Sequence, residues 1–218
     1  MDKIKLGVLV GGTSIEREVS KKSCENLLAN LDENKYEITV YHLPADGNTE
    51  WAKNIISNPP QIVLSALHGG NGENGSIQGF LHCLNIPYIG SKVLSSAICM
   101  NKAMAKTVMK ANHIQVPDHV FVMRGVDFSQ YEESIKLMGF PLIVKPNRGG
   151  SSIGVIVARN MEDIHYGIKN IIETYDDDVL IEKFIDGKEI NCCVLQGENG
   201  PEAMAVLDVK KAGCVFVY

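Results

Sequence analysis

Apolar positions along the chain fall into short continuous runs that end in glycine or polar loops, each followed by a stretch with apolar residues three and four apart. Ile4–Val10 is such a run, ends at Gly11-Gly12, and suits a strand buried on both faces of a parallel sheet. Thr13 or Ser14 can cap a helix running to about Leu31, with Val19, Cys24, Leu27, Leu28 and Leu31 on one stripe. Tyr36–His42 and Ile62–Leu67 are further strands, the latter entering the loop HGGNGENG, and a helix is predicted over Ser76–Leu84. This repetition predicts a Rossmann-like open parallel sheet, with ligand sites at the C-terminal ends of its strands.

Beyond about residue 92 the pattern changes. Asn101 can cap a helix over Lys102–Asn112. Strands are predicted at 119–123, 142–146, 155–158 and Val179–Lys183, with helices near Tyr131–Met138 and at 161–174. From Glu189 onward only strands are predicted, at 189–195, 203–209 and 215–217. The expected class is α/β: a parallel-sheet domain over 1–96, an α+β lobe over 97–187, and the start of a third, incomplete lobe over 188–218.

Composition narrows the function classes. With 218 residues, 45% hydrophobic and 22% charged, the chain reads as soluble and globular. A net charge of -5 supplies no basic field for nucleic acid. Apolar runs are too short to span a bilayer, and the N-terminus lacks the form of a signal peptide, so a cytoplasmic location is expected. The six cysteines form no CxxC pair and sit mostly in apolar runs, which reads as buried reduced thiols rather than a metal site.

Several residues carry candidate chemistry, each with a plainer alternative. The Gly11–Ser14 turn between strand and helix favours an anion, but it is not GxGxxG and supports no dinucleotide fingerprint. Glu16, in the first helical turn, either complements the helix dipole or holds a ligand ammonium. His68 opens the glycine loop at a strand end and is either structural or functional, and Glu73 reads as a loop-fixing partner for a cation such as Arg17. Lys145, inside the apolar LIVKP strand, must snorkel or meet an anion. The following RGGSSIG segment, with Ser151 and Ser152, is either a plain hairpin loop or a flexible loop closing over phosphates. Glu182 and Lys183 interrupt an apolar strand, as an edge charge pair or beside an adenine edge, and Glu189 can accept from ribose hydroxyls.

GGTSIEREVS, ALHGGNGENGSIQG, the Asn101-Lys102 helix start, VKPNRGGSSIG and LIEKFIDGKEI occur in this order. Together they resemble the N-terminal and central parts of the D-alanine–D-alanine ligases, which are ATP-grasp enzymes, over essentially the whole chain. The resemblance implies that Glu16 contacts the first D-alanine, aided by the Val19 region and His68. It implies that Lys102 and Lys145 hold ATP phosphates, with Ser151 and Ser152 in the closing loop and Ser151 joined to Glu16 by a hydrogen-bond network. Glu182, Lys183, Ile185 and Glu189 are implied to surround adenine and ribose. Asn101 departs from the aspartate usual before that lysine. The implied reaction is ATP-dependent formation of D-alanyl-D-alanine, for peptidoglycan precursors, through an acyl phosphate. Family members continue past Tyr218 into a part carrying the Mg²⁺ ligands and the second D-alanine site, so this chain alone is expected not to complete the reaction. The strands after Glu189 are expected to lack cover, which points to dimerisation or aggregation, through this edge or through the N-terminal lobe, with a homodimer as the expected state. A non-catalytic binding module and a different ATP-grasp ligase are the other readings.

Overall fold

The computed structural model describes residues 2–209. They form two compact units, one running to Ile114 and including Asn147–Gly150, the other made of Gln115–Pro146 and the chain from Ser151. The strand expected at 215–217 lies outside the described residues.

The first unit is built around strand β1 (Ile4–Gly11), whose last six residues are all buried. It is the middle strand of a parallel sheet, with β2 (Tyr36–Leu43) on one side and β3 (Ile62–Ser65) on the other. The side-chain alternation of a strand divides the core in two. Leu6, Val8 and Val10 pack with Cys24 and Ala66, against the apolar stripe Leu27, Leu28 and Leu31 at the end of helix α1 (Arg17–Asn30). Leu9 packs on the other face with Ile55 of α2 (Glu50–Ser57), and with Ile77 and Leu81. The short helix α3 (Gly70–Glu73) then leads into α4 (Ser76–Cys83), which carries Ile77 and Leu81. Two helices follow, α5 (Val93–Met100) and α6 (Lys102–Ala111).

Helix α1 starts later than expected. Neither Thr13 nor Ser14 caps it; Glu16 occupies the cap position and its side chain makes no capping bond. The reason lies in the preceding turn. Gly11 and Gly12 both take positive φ, and Gly12 N–H donates to Leu43 O at 2.7 Å, so the chain stays tied to the end of β2 before it can coil. Ser14 instead stabilises the turn, its hydroxyl accepting from Glu16 N–H at 3.1 Å. Helix α2 has no counterpart in the sequence reading. The cysteine expectation also needs correction. Cys24 is buried, and burial pushes its thiol up, but Cys83, Cys99, Cys192 and Cys193 are exposed. Cys83 and Cys99 fall at the ends of α4 and α5, where an apolar stripe reaches the surface.

In the second unit, β4 (His119–Val122), β5 (Leu142–Pro146), β6 (Ile156–Ala158) and β7 (Val179–Lys183) form an antiparallel sheet in the order β4-β7-β5-β6. A 3₁₀ turn over Phe128–Tyr131 leads into α7 (Glu132–Met138). The longer α8 (Met161–Tyr175) has Asn160 Oδ1 accepting from Asp163 N–H as its cap. Leu142, Val144, Val179 and Ile181 meet Ile164, Ile168 and Ile171 of α8 on one face of the sheet. Strands β8 (Ile190–Gly197) and β9 (Gly200–Asp208) form a hairpin whose side chains are exposed on both faces, Val206 among them.

Gly154 ends the serine-rich loop with φ +73°, and a Cβ there would stand 2.8 Å from the Tyr175 ring and 2.9 Å from Pro146 Cγ. Gly150, in the same loop, has open space around it and no such φ. Gly154→Ala is therefore expected to cost about 2–4 kcal/mol, from the left-handed backbone and overpacking together, with Gly150→Ala near neutral. Urea unfolding of both variants tests this, and equal stabilities would refute it.

Candidate functional site

The order β2-β1-β3 means that the chain leaves β1 toward one side and returns to its other side at β3. The crevice between the C-terminal ends of β1 and β3 is thus a topological switch point, where ligands bind in open α/β sheets. Two loops meet there, 11–16 and 66–75. Gly69 takes φ +63°, and the Glu16 carboxylate and Ser14 hydroxyl occupy the space its Cβ would fill. Any side chain at 69 would push Glu16 away, which explains a glycine directly after His68. His68 is held from both sides, with Nε2 2.8 Å from Ser23 Oγ and Nδ1 3.7 Å from Glu73 Oε1. The Glu73 partner is thus His68 rather than Arg17. A cavity of about 190 Å³ opens beside these loops, lined by Gly12, Ser14, Trp51, His68 and Asn71 among others. Val19, one turn after Glu16, is 49% exposed.

Helix α1 is fixed to this crevice by a contact that the sequence reading missed. Ser20 is fully buried, and its hydroxyl accepts from Gly11 N–H at 2.9 Å. Glu16, Ser20 and Ser23 lie at i, i+4 and i+7, one face of a helix. That polar stripe was the available signal.

Lys102 opens α6 in the first unit. Three N–H groups that a helix start leaves without intrahelical partners are satisfied here. Lys102 N–H donates to Asn147 O at 3.0 Å, Ala103 N–H to Asn147 Oδ1 at 2.9 Å, and Met104 N–H to the expected cap, Asn101 Oδ1, at 3.0 Å. Any anion binding at this helix start must therefore come from the Lys102 side chain, whose Nζ donates to Gly149 O at 2.8 Å. Asn147 is fully buried and organises this corner, a role the sequence reading did not give it.

In the second unit, β5 and β7 place Lys145 opposite Leu180 and Ile143 opposite Glu182. Lys145 and Glu182 are therefore diagonal neighbours on the sheet face opposite the α8 core, and they form an ion pair with only 20% and 10% of their side chains exposed. His119 stands opposite Glu182 on β4, another position the sequence reading left out. Further along, Lys183 is exposed and its N–H donates to Asp118 O at 2.9 Å; Ile185 is 65% exposed and Glu189 half-buried. Ser151 and Ser152 both adopt left-handed backbone, φ +51° and +54°. Among the described residues, no group of three or more His, Cys, Asp or Glu is arranged to hold a metal, and no helix is long and apolar enough to cross a membrane.

Comparison with known proteins identifies the family. The family models D-ala D-ala ligase N-terminus and D-ala D-ala ligase C-terminus match residues 49–91 and 108–218. A curated D-alanine–D-alanine ligase of Bacillus anthracis is 39% identical over 216 residues, covering 99% of this chain and 67% of that protein. The chain belongs to the D-alanine–D-alanine ligase family. Solved structures of the family superpose on it. The Bacillus anthracis D-alanine–D-alanine ligase complexed with ATP has a TM-score of 0.82 at 35% identity, covering 97% of this chain and 68% of that one. The Coxiella burnetii enzyme gives 0.83 at 29% identity, covering 95% and 71%. Like these relatives, this family member is a mixed α/β protein with one parallel and further antiparallel sheets.

The Lys145–Glu182 pair yields a stability test. Removing either partner desolvates the other without its counter-charge, so Lys145→Met and Glu182→Gln should each lower stability by about 2 kcal/mol. The double variant should cost less than the sum by about 1 kcal/mol or more. Strict additivity in urea unfolding would show that the pair contributes nothing.

Proposed function

We propose that this chain provides the first D-alanine subsite and the ATP-binding walls of a D-alanine–D-alanine ligase, an ATP-dependent carboxylate–amine ligase of peptidoglycan precursor synthesis. The observation that carries the reading is the packing of Glu16 around Gly69 beside His68, at the switch point of the parallel sheet. A zwitterionic amino acid needs an anion for its ammonium group and a donor for its carboxylate, and Glu16 and His68 supply one of each. Val19 forms the apolar neighbour for the methyl group.

On this reading Lys145 and Lys102 attract ATP phosphates, and Ser151 and Ser152 close over them. Glu182, Lys183, Ile185 and Glu189 receive adenine and ribose. An oxygen of the bound D-alanine carboxylate attacks the γ-phosphorus and ADP departs, leaving an acyl phosphate. The amine of the second D-alanine attacks the acyl carbon; the C–O bond to phosphate breaks, and the amine loses a proton. The chain's contribution is to orient the carboxylate, neutralise phosphate charge and exclude water. Mg²⁺ supports phosphoryl transfer by neutralising the charge that develops. The described residues present no group of three or more His, Cys, Asp or Glu that could hold it.

The reading places domain boundaries near residues 96 and 187, with the start of a third lobe after 188. It includes a cytoplasmic homodimer. Since the chain spans about two-thirds of the length of its relatives, we propose that by itself it binds ATP and D-alanine without turnover.

Ligand-induced stabilisation tests the nucleotide site. ATP at ten times its Kd should add about 1.4 kcal/mol, because a ligand bound only by the folded state stabilises it by RT ln(1 + [L]/Kd). Lys145→Ala should remove most of the shift with ATP and little of any shift with adenosine, while Glu189→Ala should weaken both. An ATP shift that survives intact in Lys145→Ala would make this lysine structural.

A further inference from the structure

Each ring nitrogen of His68 faces a polar side chain, and the two neighbours differ in kind. Ser23 is neutral and part-buried, and it sits on a helix anchored to the end of β1 through Ser20 and Gly11. Glu73 is anionic, ends a one-turn helix and is 47% exposed, against 34% for His68. A firmly mounted hydroxyl thus meets Nε2, and an easily moved carboxylate faces Nδ1.

This asymmetry selects a tautomer. A neutral imidazole carries one N–H and one lone pair. If the proton were on Nε2, the bare Nδ1 lone pair would face the Glu73 carboxylate, and two negative ends would oppose each other. With the proton on Nδ1, the N–H faces the carboxylate and Nε2 accepts from the Ser23 hydroxyl, so both contacts are attractive. At 3.7 Å the Nδ1–Glu73 contact is longer than a hydrogen bond. Glu73 therefore biases the ring without consuming its donor.

We infer that Ser23 is a positioning residue that holds the His68 ring with Nδ1 turned to the Glu73 side, where the Nδ1–H form is favoured, and that Glu73 is an internal carboxylate standing where the ligand carboxylate is received. The inference rests on the reading of His68 as part of the first D-alanine subsite. Ser23 acts through His68 and does not touch the amino acid. An arriving α-carboxylate takes the Nδ1–H, and Glu73 swings toward solvent. The two substitutions then have opposite signs. Without the Ser23 hydroxyl the ring loses its mount and relaxes toward the Nε2–H form favoured by free imidazole, so the donor no longer faces the ligand. Without the Glu73 charge, the ligand carboxylate has no competitor, and as a carboxylate facing Nδ1 it imposes the same Nδ1–H form itself.

Nitrogen-15 NMR of the imidazoles in the full chain tests this, at about pH 8.5 where an ordinary histidine is neutral. The His68 signals are assigned by their loss in His68→Asn. The expected resting state is Nδ1–H, shifted toward Nε2–H in Ser23→Ala and restored in Ser23→Thr, which keeps the hydroxyl. The backbone spectrum of each variant reports folding, and Ser23→Cys serves if Ser23→Ala is unfolded. On titration with D-alanine, followed at His68, Glu73→Gln should tighten binding roughly fivefold and Ser23→Ala should weaken it by a similar factor, as for one part-exposed polar contact. An Nε2–H resting tautomer, or a Ser23→Ala spectrum identical to that of the unmodified chain, would overturn the role of Ser23. Weaker D-alanine binding in Glu73→Gln would overturn that of Glu73. If the tautomer follows Ser23 while His68 ignores D-alanine at any concentration, the substrate reading fails and the Ser23 assignment stands.

Discussion

Burial of β1 on both faces is the constraint from which the first unit follows. A strand whose odd and even side chains must both leave water needs cover on two sides, and α1 and α2 with α4 provide it. Strand connections of this kind are almost always right-handed, so helices on opposite faces send β2 and β3 to opposite edges of β1. The crevice at the ends of β1 and β3 is a consequence of that arrangement. Glu16 and His68 are held there because the loops that bear them leave adjacent strands. The apolar pattern of seven residues near the N-terminus thereby determines where polar chemistry gathers some sixty residues later.

The second unit solves a different problem, that of placing charge on a sheet. One face of β5 and β7 is committed to the α8 core through Leu142, Val144, Val179 and Ile181. The opposite face carries Lys145 and Glu182 between buried Ile143 and Leu180. A lone ammonium in such surroundings would be costly, and the diagonal carboxylate offsets most of that cost. Two well-packed apolar residues would serve stability as well or better. Keeping the charges is understandable if an anionic ligand exchanges with Glu182 for the lysine.

Legibility in the sequence followed the range of the interactions. The strand Val179–Lys183, the LIVKP strand and the Asn101 cap were readable because each depends on neighbours within a few positions. Helix α2 was not, since Glu50–Ser57 is short and buries only Ile55 fully. The start of α1 was misplaced because Gly12 is tied to Leu43, thirty-one residues away. Candidate site residues divide in the same way. Glu16, His68 and Lys145 stood out by type and place, but Ser23 and Asn147 act through partners 45 and 44 residues distant and carry no local mark. Exposure of four cysteines was illegible for a related reason, because an apolar run gives no indication of where its helix or hairpin ends against solvent.

The loop after β5 extends this argument to backbone strain. Ser151 and Ser152 are consecutive residues in the left-handed region, each at a cost of about 1 kcal/mol or more that glycine would avoid. Gly149 and Gly154, on either side, also take positive φ, and at 154 packing against Tyr175 and Pro146 demands glycine outright. If shape alone mattered, glycine at 151 and 152 would give the same path at lower energy. What serine adds is a hydroxyl, and it keeps that hydroxyl in a conformation the backbone resists. Strain retained for a hydroxyl, in the loop that follows the Lys145 strand, accords with the proposal that this loop receives an anion.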